Sequence, residues 1–361
     1  MTKKIKVVVI DDSAFMRKSI SLMLESTNEI EVVATACDGI EGVEKVKTTQ
    51  PDIVTMDIEM PRMDGLTALK IIMKECPTPV LMVSSLTTEG AFETIKALEY
   101  GAVDFIAKEL AYLDVNINGI KDELIAKVKS IAGQNSLIAK LQRIQKLNFN
   151  KNTHTFTTKQ EYALKQLPQI GYRAVALGIS TGGPMSLQKV IPKLSKKLSI
   201  PVFVVQHMPP KFTKSLAERL NELSDVEVKE AEDNEIIGGG VVYIAPGGYH
   251  MTVVKNSENE PQISISELPS DKLHRPSVDV MLHSVIEVYN KYVIGIIMTG
   301  MGKDGSGGIK ELKIKGGYAI AQDEDSCIVY GMPRAIVEAG YADLVLPLEN
   351  IAISINKACV I

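Results

Sequence analysis

The sequence predicts an α/β protein with two doubly wound parallel-sheet domains joined by a linker. Short β-branched runs alternate with helix-length amphipathic segments up to about residue 130, and the alternation resumes at about residue 172. Between these regions the chain is rich in Thr, Asn, Gln and Lys and has little periodicity. We therefore predict a first domain at 1–130, a linker at 131–171 and a second domain at 172–361.

The composition excludes several classes of protein. Hydrophobic residues make up 45% of the 361 positions and charged residues 23%, which is enough for two substantial cores. A net charge of -4 argues against nucleic-acid binding, and no apolar run reaches the roughly 18 residues needed for membrane insertion. The four cysteines are scattered without a C-x-x-C pair, which favours a reducing, cytoplasmic compartment.

The first domain is predicted to contain five buried strands. They cover residues 6–10, 32–35, 52–56, 80–83 and about 103–107. The helix after the first strand is expected to turn Phe15, Ile20 and Leu24 toward the core.

Polar residues follow four of these strands: Asp11 and Asp12, Asp57, Ser84, and Lys108. Because the carboxyl ends of parallel strands meet at one edge of the sheet, we expect these side chains to converge. Three clustered carboxylates require a hard cation, and an oxygen-only set fits Mg²⁺ better than zinc. The Ser84 hydroxyl and the Lys108 ammonium are suited to hold phosphoryl oxygens, so Asp57 is the predicted phosphate acceptor.

This arrangement resembles the receiver domain of two-component response regulators over residues 5 to about 125. The loop from Met60 to Gly65 matches the family's loop after the phosphorylated aspartate. The resemblance implies a flavodoxin-like fold, a metal site at Asp11, Asp12 and Asp57, and Phe105 as the aromatic switch residue. One departure is Glu109, which stands where the family has the proline that helps to aim the lysine.

In the second domain, an apolar strand at 174–177 runs into Gly178-Ile-Ser-Thr-Gly182 and then into a helix at 185–191. The segment matches the G-x-S-x-G nucleophile elbow, with Ser180 at the turn. Two other interpretations stay open, a helix N-cap at Ser180 and a degenerate dinucleotide-binding loop. The second lacks glycine at positions 179 and 180, and His207 stands where an acidic residue is expected.

His207 follows the next strand, at 201–205, and Asp304 lies in the glycine-rich loop after a strand at 293–298. A serine nucleophile needs a base, and an imidazole base needs a carboxylate to fix its tautomer. Glycines around Met301 leave backbone N–H groups available to an oxyanion. Asp279 is a rival carboxylate, although its helical setting is more typical of a solvated or capping side chain, and Asp304 itself could cap the helix at Gly305.

Other histidines in this domain have different settings. His250 and His274 lie at loop mouths, where packing or substrate contact is expected, and His283 lies within a helix. The strand at 262–266 alternates as an exposed edge strand does, and 318–321 is the predicted final strand.

Five segments together resemble the chemotaxis protein-glutamate methylesterases (CheB). They are Gly178–Pro184, Gln206–Pro209, Ala245–His250, His274–Asp279 and Thr299–Gly305. The resemblance implies a Rossmann-like esterase domain without a cofactor, and a catalytic set of Ser180, His207 and Asp304 with the Met301 amide in the oxyanion hole. It also implies substrate contacts from Thr181, His274 and Arg275.

The implied function is phosphorylation-activated demethylation of glutamate methyl esters, and deamidation of glutamines, on the cytoplasmic helices of chemoreceptors. The phosphodonor would be the chemotaxis histidine kinase, and the enzyme a monomer whose unphosphorylated receiver covers the active site. Two rivals are a non-catalytic nucleotide-binding module controlled by the receiver, and a serine esterase with a soluble substrate.

Overall fold

The computed structural model describes residues 3–85, 87–108, 117–133, 137–139, 167–168 and 170–360. The chain divides into two compact units, residues 1–145 and 146–361. The predicted linker at 131–171 falls mostly outside the described residues, so its boundaries stay a prediction. In the described part of the chain, no helix is long and apolar enough to cross a membrane.

The first unit is a five-stranded sheet with helices between the strands. Its strands are β1 (Ile5–Ile10), β2 (Ile30–Ala36), β3 (Ile53–Asp57), β4 (Val80–Ser84) and β5 (Asp104–Ala107). Its helices are α1 (Ala14–Glu25), α2 (Gly39–Thr49), α3 (Gly65–Glu75), α4 (Thr88–Glu99) and α5 (Ile117–Ala132). All neighbouring strands are parallel, in the order β2-β1-β3-β4-β5. The predicted parallel sheet is confirmed.

The expected inward stripe of α1 is wrong at one position. Phe15 is 63% exposed, whereas Met16, Ile20 and Leu24 are buried. These three residues are spaced by four, so they form one stripe, and Phe15 lies about 100° away from it around the helix. The Ser13 hydroxyl accepts a hydrogen bond from the Met16 amide, which fixes the start of the helix.

The second unit has a seven-stranded parallel sheet in the order β14-β13-β12-β6-β7-β9-β8. Its strands are β6 (Ala174–Ile179), β7 (Val202–Gln206), β8 (Glu227–Glu230), β9 (Val241–Ile244), β12 (Val293–Ile297), β13 (Tyr318–Gln322) and β14 (Leu344–Leu346). Its helices are α6 (Gly183–Val190), α7 (Phe212–Leu223), α8 (Val278–Tyr289), α9 (Ser306–Lys315), α10 (Met332–Glu338) and α11 (Leu348–Cys359). The strand order reverses direction at β6, and such a switch point opens a crevice at the carboxyl ends of the strands.

One of two further strand predictions in this unit needs correction. The strand at 318–321 is not the last, because β14 follows it and pairs with β13. β14 has only three residues, too few for a recognisable pattern. The strand predicted at 262–266 is confirmed as β11 (Pro261–Ser266), which pairs antiparallel with β10 (His250–Lys255) in a separate two-stranded hairpin, where it is an edge strand as expected.

Candidate active site

Ser180 lies in the turn between β6 and α6, and it does not cap the helix. Gly182 occupies the N-cap position with φ 75°, and no side chain caps this helix. A Cβ at Gly182 would approach the Cβ of Ile328 to 2.5 Å, so both conformation and space require glycine there. The N-cap interpretation of Ser180 is therefore wrong, and its half-buried side chain is left for another role.

Backbone contacts hold Ser180 beside His207. The Ser180 amide donates to the Thr299 carbonyl at 3.0 Å, and the His207 amide donates to the Ile179 carbonyl at 3.2 Å. The side-chain amide of the buried Gln206 donates to the backbone carbonyls of both Ser180, at 3.1 Å, and His207, at 3.2 Å. Adjacent strand ends thus carry the predicted nucleophile and base in a fixed relation.

His207 and Asp304 form a direct pair. His207 Nε2 lies 2.8 Å from Asp304 Oδ2, and the side chains are 7% and 15% exposed. An ionised carboxylate only accepts hydrogen bonds, so Nε2 carries the proton and Nδ1 carries the lone pair. Nδ1 is buried and has no hydrogen-bond partner. A buried basic nitrogen without a donor is the feature expected of a base awaiting a proton.

Asp304 is held by the N-terminus of α8. Its carboxylate accepts from the Ser277 hydroxyl (3.1 Å) and from the amides of Val278 (2.7 Å), Asp279 (3.0 Å) and Gly305 (3.0 Å). Burial raises the pKa of this carboxyl, but the hydrogen bonds and the neighbouring His207 outweigh burial and hold the pKa well below its ordinary value. Asp304 therefore stays ionised while it orients His207. The capping role expected of it was at α9, but its carboxylate binds chiefly the start of α8 and, at α9, accepts only from the amide of the N-cap residue Gly305.

Asp279 has a capping role, one of the two roles expected of its helical setting. Its carboxylate accepts from the Gly308 amide at 2.7 Å, in the first turn of α9. Burial raises the pKa of this carboxyl. Asp304, in the loop before α9, therefore binds the start of α8, and Asp279, on α8, binds the first turn of α9.

The loop after β12 packs directly against the nucleophile. A Cβ at Gly300 would lie 2.8 Å from the Cβ of Ser180, so a side chain there would displace the serine. The Gly300 carbonyl accepts from the amides of Gly331 and Met332 at 3.1 and 2.9 Å, which fixes the peptide before Met301. Among the described residues, no acceptor takes the Met301 amide hydrogen, which suits the oxyanion role predicted for it.

The predicted substrate contacts have unequal positions. His274 stacks on His207 with ring centroids 4.2 Å apart. Thr181 is buried beside the nucleophile, and its carbonyl accepts from the Thr299 hydroxyl at 2.9 Å. Arg275 is exposed and lies against Glu267, at 3.6 Å. His250 is fully buried and so is not available to a substrate.

The predicted phosphorylation site is assembled at the edge of the first sheet. Lys108 Nζ lies 2.5 Å from Asp57 and 3.1 Å from Asp11. Carboxylate oxygens of Asp11, Asp12 and Asp57 all lie within 4.8 Å of one another. An all-oxygen cluster of this kind fits a hard divalent cation. Of the five strand-end residues predicted to converge, Asp11, Asp12, Asp57 and Lys108 meet in the structure.

Ser84 and Phe105 lie nearby in the core. The buried Ser84 hydroxyl donates to the Gly90 carbonyl at 3.3 Å and accepts from the Thr94 hydroxyl at 2.8 Å. Phe105 is 4% exposed, and its carbonyl accepts from Lys127 Nζ at 2.8 Å. The Ser84 hydroxyl must give up its hydrogen bond to the Gly90 carbonyl before it can donate to a phosphoryl oxygen. The departure at Glu109 lies outside the described residues.

Asp57→Asn should stabilise the first unit at neutral pH without Mg²⁺. Burial raises the pKa of Asp57 to about 6 from 3.8, with Asp11 adding to the effect and Lys108 opposing it. Because the folded-state pKa is the higher, ionisation destabilises the folded state progressively between about pH 4 and 6, and the penalty is constant above. Asparagine removes this penalty, roughly 1–3 kcal/mol at pH 7.5.

Urea unfolding of the intact chain in chelator at pH 5 and 7.5 measures this difference. The stabilisation should be smaller at pH 5 and should shrink when Mg²⁺ neutralises the wild-type carboxylates. Asp122→Asn, on the exposed face of α5, is the matched control. An equal effect of Asp57→Asn at both pH values would contradict the raised pKa.

Comparison with known proteins agrees with this geometry. Residues 175–355 match the CheB methylesterase family, and residues 7–115 match the response regulator receiver domain. A protein-glutamate methylesterase/protein-glutamine glutaminase of Pyrococcus horikoshii is 47% identical over 99% of this chain and 94% of its own length. Its counterpart from Pyrococcus abyssi is 46% identical over the same shares of both chains.

A solved structure adds a comparison for the second unit. The crystal structure of the Thermotoga maritima CheB methylesterase catalytic domain is 44% identical, with a TM-score of 0.50. It covers 52% of this chain and 98% of that one. The fold and the two family matches together define a response regulator whose second unit belongs to the methylesterase class. The chain belongs to the CheB methylesterase family, and these comparisons do not support the nucleotide-binding alternative.

Proposed function

We propose that this protein is a phosphorylation-activated serine hydrolase. It demethylates glutamate methyl esters, and deamidates glutamines, on the cytoplasmic helices of chemoreceptors. The observation that carries the hydrolase chemistry is the His207–Asp304 pair, which leaves Nδ1 buried and unpartnered on the strand next to Ser180. The relatives' names supply the substrate class.

The geometry supports an acyl-enzyme mechanism. The Ser180 hydroxyl attacks the ester carbonyl and passes its proton to His207 Nδ1, while Asp304 stabilises the imidazolium. The Met301 amide donates to the oxyanion that develops on the carbonyl oxygen. His207 then returns the proton to the leaving methanol, or to ammonia when the substrate is an amide. A water molecule, deprotonated by His207, hydrolyses the acyl-enzyme and releases the glutamate.

We assign the receiver residues by the same reasoning. Asp57 accepts the phosphoryl group from the chemotaxis histidine kinase, and Ser84 and Lys108 hold its oxygens. Mg²⁺ would be held by Asp11, Asp12 and Asp57, and it would neutralise negative charge on the phosphoryl oxygens when bound. When Ser84 moves toward the phosphoryl group, Phe105 turns into the space that Ser84 leaves, and the surface of the receiver changes. We assign the approach of the receptor helix to His274 and Arg275, because Thr181, also predicted as a substrate contact, is buried beside Ser180.

A phosphonate ester with an activated leaving group should label Ser180 covalently, because attack on phosphorus mimics attack on the ester carbonyl. Asp304→Asn should slow labelling by about 10⁴-fold, since an amide donor at this position favours the wrong tautomer of His207. Mass spectrometry of the digested protein identifies the labelled residue. Ser199→Ala, at an exposed serine, should label normally. Labelling that persists in Ser180→Ala would reject this nucleophile.

A further inference from the structure

His250 is a second buried histidine near the site. It is the first residue of β10, and its side chain is fully buried. Nδ1 lies 3.2 Å from the Ser277 amide, and Nε2 lies 3.1 Å from the Pro269 carbonyl. An amide only donates and a carbonyl only accepts, so Nδ1 carries the lone pair and Nε2 the proton. Both imidazole nitrogens are therefore satisfied in one neutral tautomer.

The residue that His250 holds is in turn bonded to the candidate catalytic carboxylate. The Ser277 hydroxyl donates to Asp304 Oδ1 at 3.1 Å, and the next two amides along the chain also donate to that carboxylate. The position of the 277–279 backbone therefore sets the position of Asp304. A second bond between the same loops, from the Gly248 amide to the Arg275 carbonyl at 3.1 Å, places His250 against this backbone.

We infer that His250 is a positioning residue for catalysis, which acts through Ser277 to fix Asp304 and hence the base His207. The inference rests on the proposed Ser180–His207–Asp304 triad. An acceptor at the Nδ1 position is the essential feature, because it anchors the Ser277 amide. The bond from Nε2 to Pro269 only fixes the exposed segment around Pro269.

The charges around His250 favour the neutral form that this role needs. Burial lowers the pKa of His250, the bond to the Pro269 carbonyl raises it, and Arg275 and Lys272 lower it against the opposing effect of Asp304. The net shift is downward. A protonated His250 would set an N–H against the Ser277 amide, two donors that repel each other. The contact therefore persists across the pH range in which a neutral histidine base is active.

Two amide substitutions separate the nitrogens of His250. Asparagine places an acceptor near the Nδ1 position, and glutamine places a donor near the Nε2 position. We expect His250→Gln to lower kcat on methylated receptor membranes by roughly 10- to 100-fold with an unchanged KM, since small misplacements of catalytic groups have effects of this size. His250→Asn should stay within about threefold of wild type if the Ser277 contact is retained.

The pH profile and a second variant distinguish positioning from general support of the fold. His250→Gln should move the acidic limb of kcat/KM to lower pH, because a displaced Asp304 stabilises the His207 imidazolium less. Ser277→Ala removes the hydroxyl bond to Asp304 but keeps the amide that His250 holds, so it should lower kcat and shift the limb in the same direction. The double variant His250→Gln, Ser277→Ala should lose less than the product of the two single losses, because both changes act on the position of Asp304. If either His250 variant fails to fold, as judged by thermal unfolding, Ser277→Ala carries the test.

Several results would overturn the inference. A loss in His250→Asn with activity retained in His250→Gln would assign the histidine to the Pro269 segment. Equal losses in both variants, or an unmoved acidic limb in Ser277→Ala, would also reject action through Ser277. Failure of the proposed function is distinguishable, because Ser180→Ala would then hydrolyse receptor esters as wild type does.

Discussion

Replacing both Ser180 and His207 by alanine should lower kcat no further than either single replacement does. Each single loss should be large, on the order of 10³- to 10⁶-fold, because the serine is not nucleophilic without its base and the base has no role without the serine. The contacts support this coupling, since the Gln206 side chain bonds to the backbones of both residues and Nδ1 of His207 has no hydrogen-bond partner. Initial rates of ester hydrolysis measure the three variants.

His283→Ala is the matched control for this experiment. His283 pairs with Glu311 on the exposed faces of α8 and α9, away from the three strand ends, so its loss should leave kcat within about twofold. A double variant whose loss equals the product of the two single losses would show that Ser180 and His207 act independently. That result would contradict their assignment as nucleophile and base.

Separating the second unit from the receiver should raise its activity above that of the intact, unphosphorylated chain. The related catalytic domain of Thermotoga maritima was crystallised by itself, which supports independent folding of this part. An inhibitory bias of about 1–3 kcal/mol from the receiver corresponds to a roughly 5- to 150-fold difference in rate. Cleavage within 148–171, followed by rate measurements on the purified fragment, tests the expectation.

Phosphorylation should have the same effect as cleavage in the intact chain. A small-molecule phosphodonor with Mg²⁺ should raise the wild-type rate, and Asp57→Asn should abolish the response. Asp122→Asn changes the same charge at an exposed position and should respond as wild type does. A fragment no faster than the intact unphosphorylated chain would exclude inhibition by the receiver and favour a receiver that only tethers the enzyme to its kinase.

The strand ends were the most predictable feature of this protein. In a parallel sheet, residues that follow neighbouring strands meet at one edge whatever the intervening helices do. That rule brought Asp11, Asp57 and Lys108 together in the first unit, and it put Ser180 and His207 side by side in the second. Long apolar strands such as β12 carry a strong signal because both their faces are buried.

Features that depend on distant contacts were not predictable. The bonds between Asp304 and the start of α8 join residues 25–27 positions apart, and no local pattern encodes them, whereas the pairing of Asp304 with His207 was predicted. The His250–Ser277 contact spans 27 positions for the same reason. The inward stripe of α1 was predicted correctly at Ile20 and Leu24 but began at Phe15 instead of Met16, and β14 was too short to show a period.

Release of methanol from methylated chemoreceptor membranes tests the central claim most directly. The assay should compare wild type, Ser180→Ala and Asp57→Asn, each with and without phosphodonor and Mg²⁺. We expect wild type to release methanol slowly and to accelerate with phosphodonor, Ser180→Ala to release none, and Asp57→Asn to keep only the slow rate. Wild type that releases no methanol in either condition, or a Ser180→Ala variant that releases it at the wild-type rate, would contradict the account.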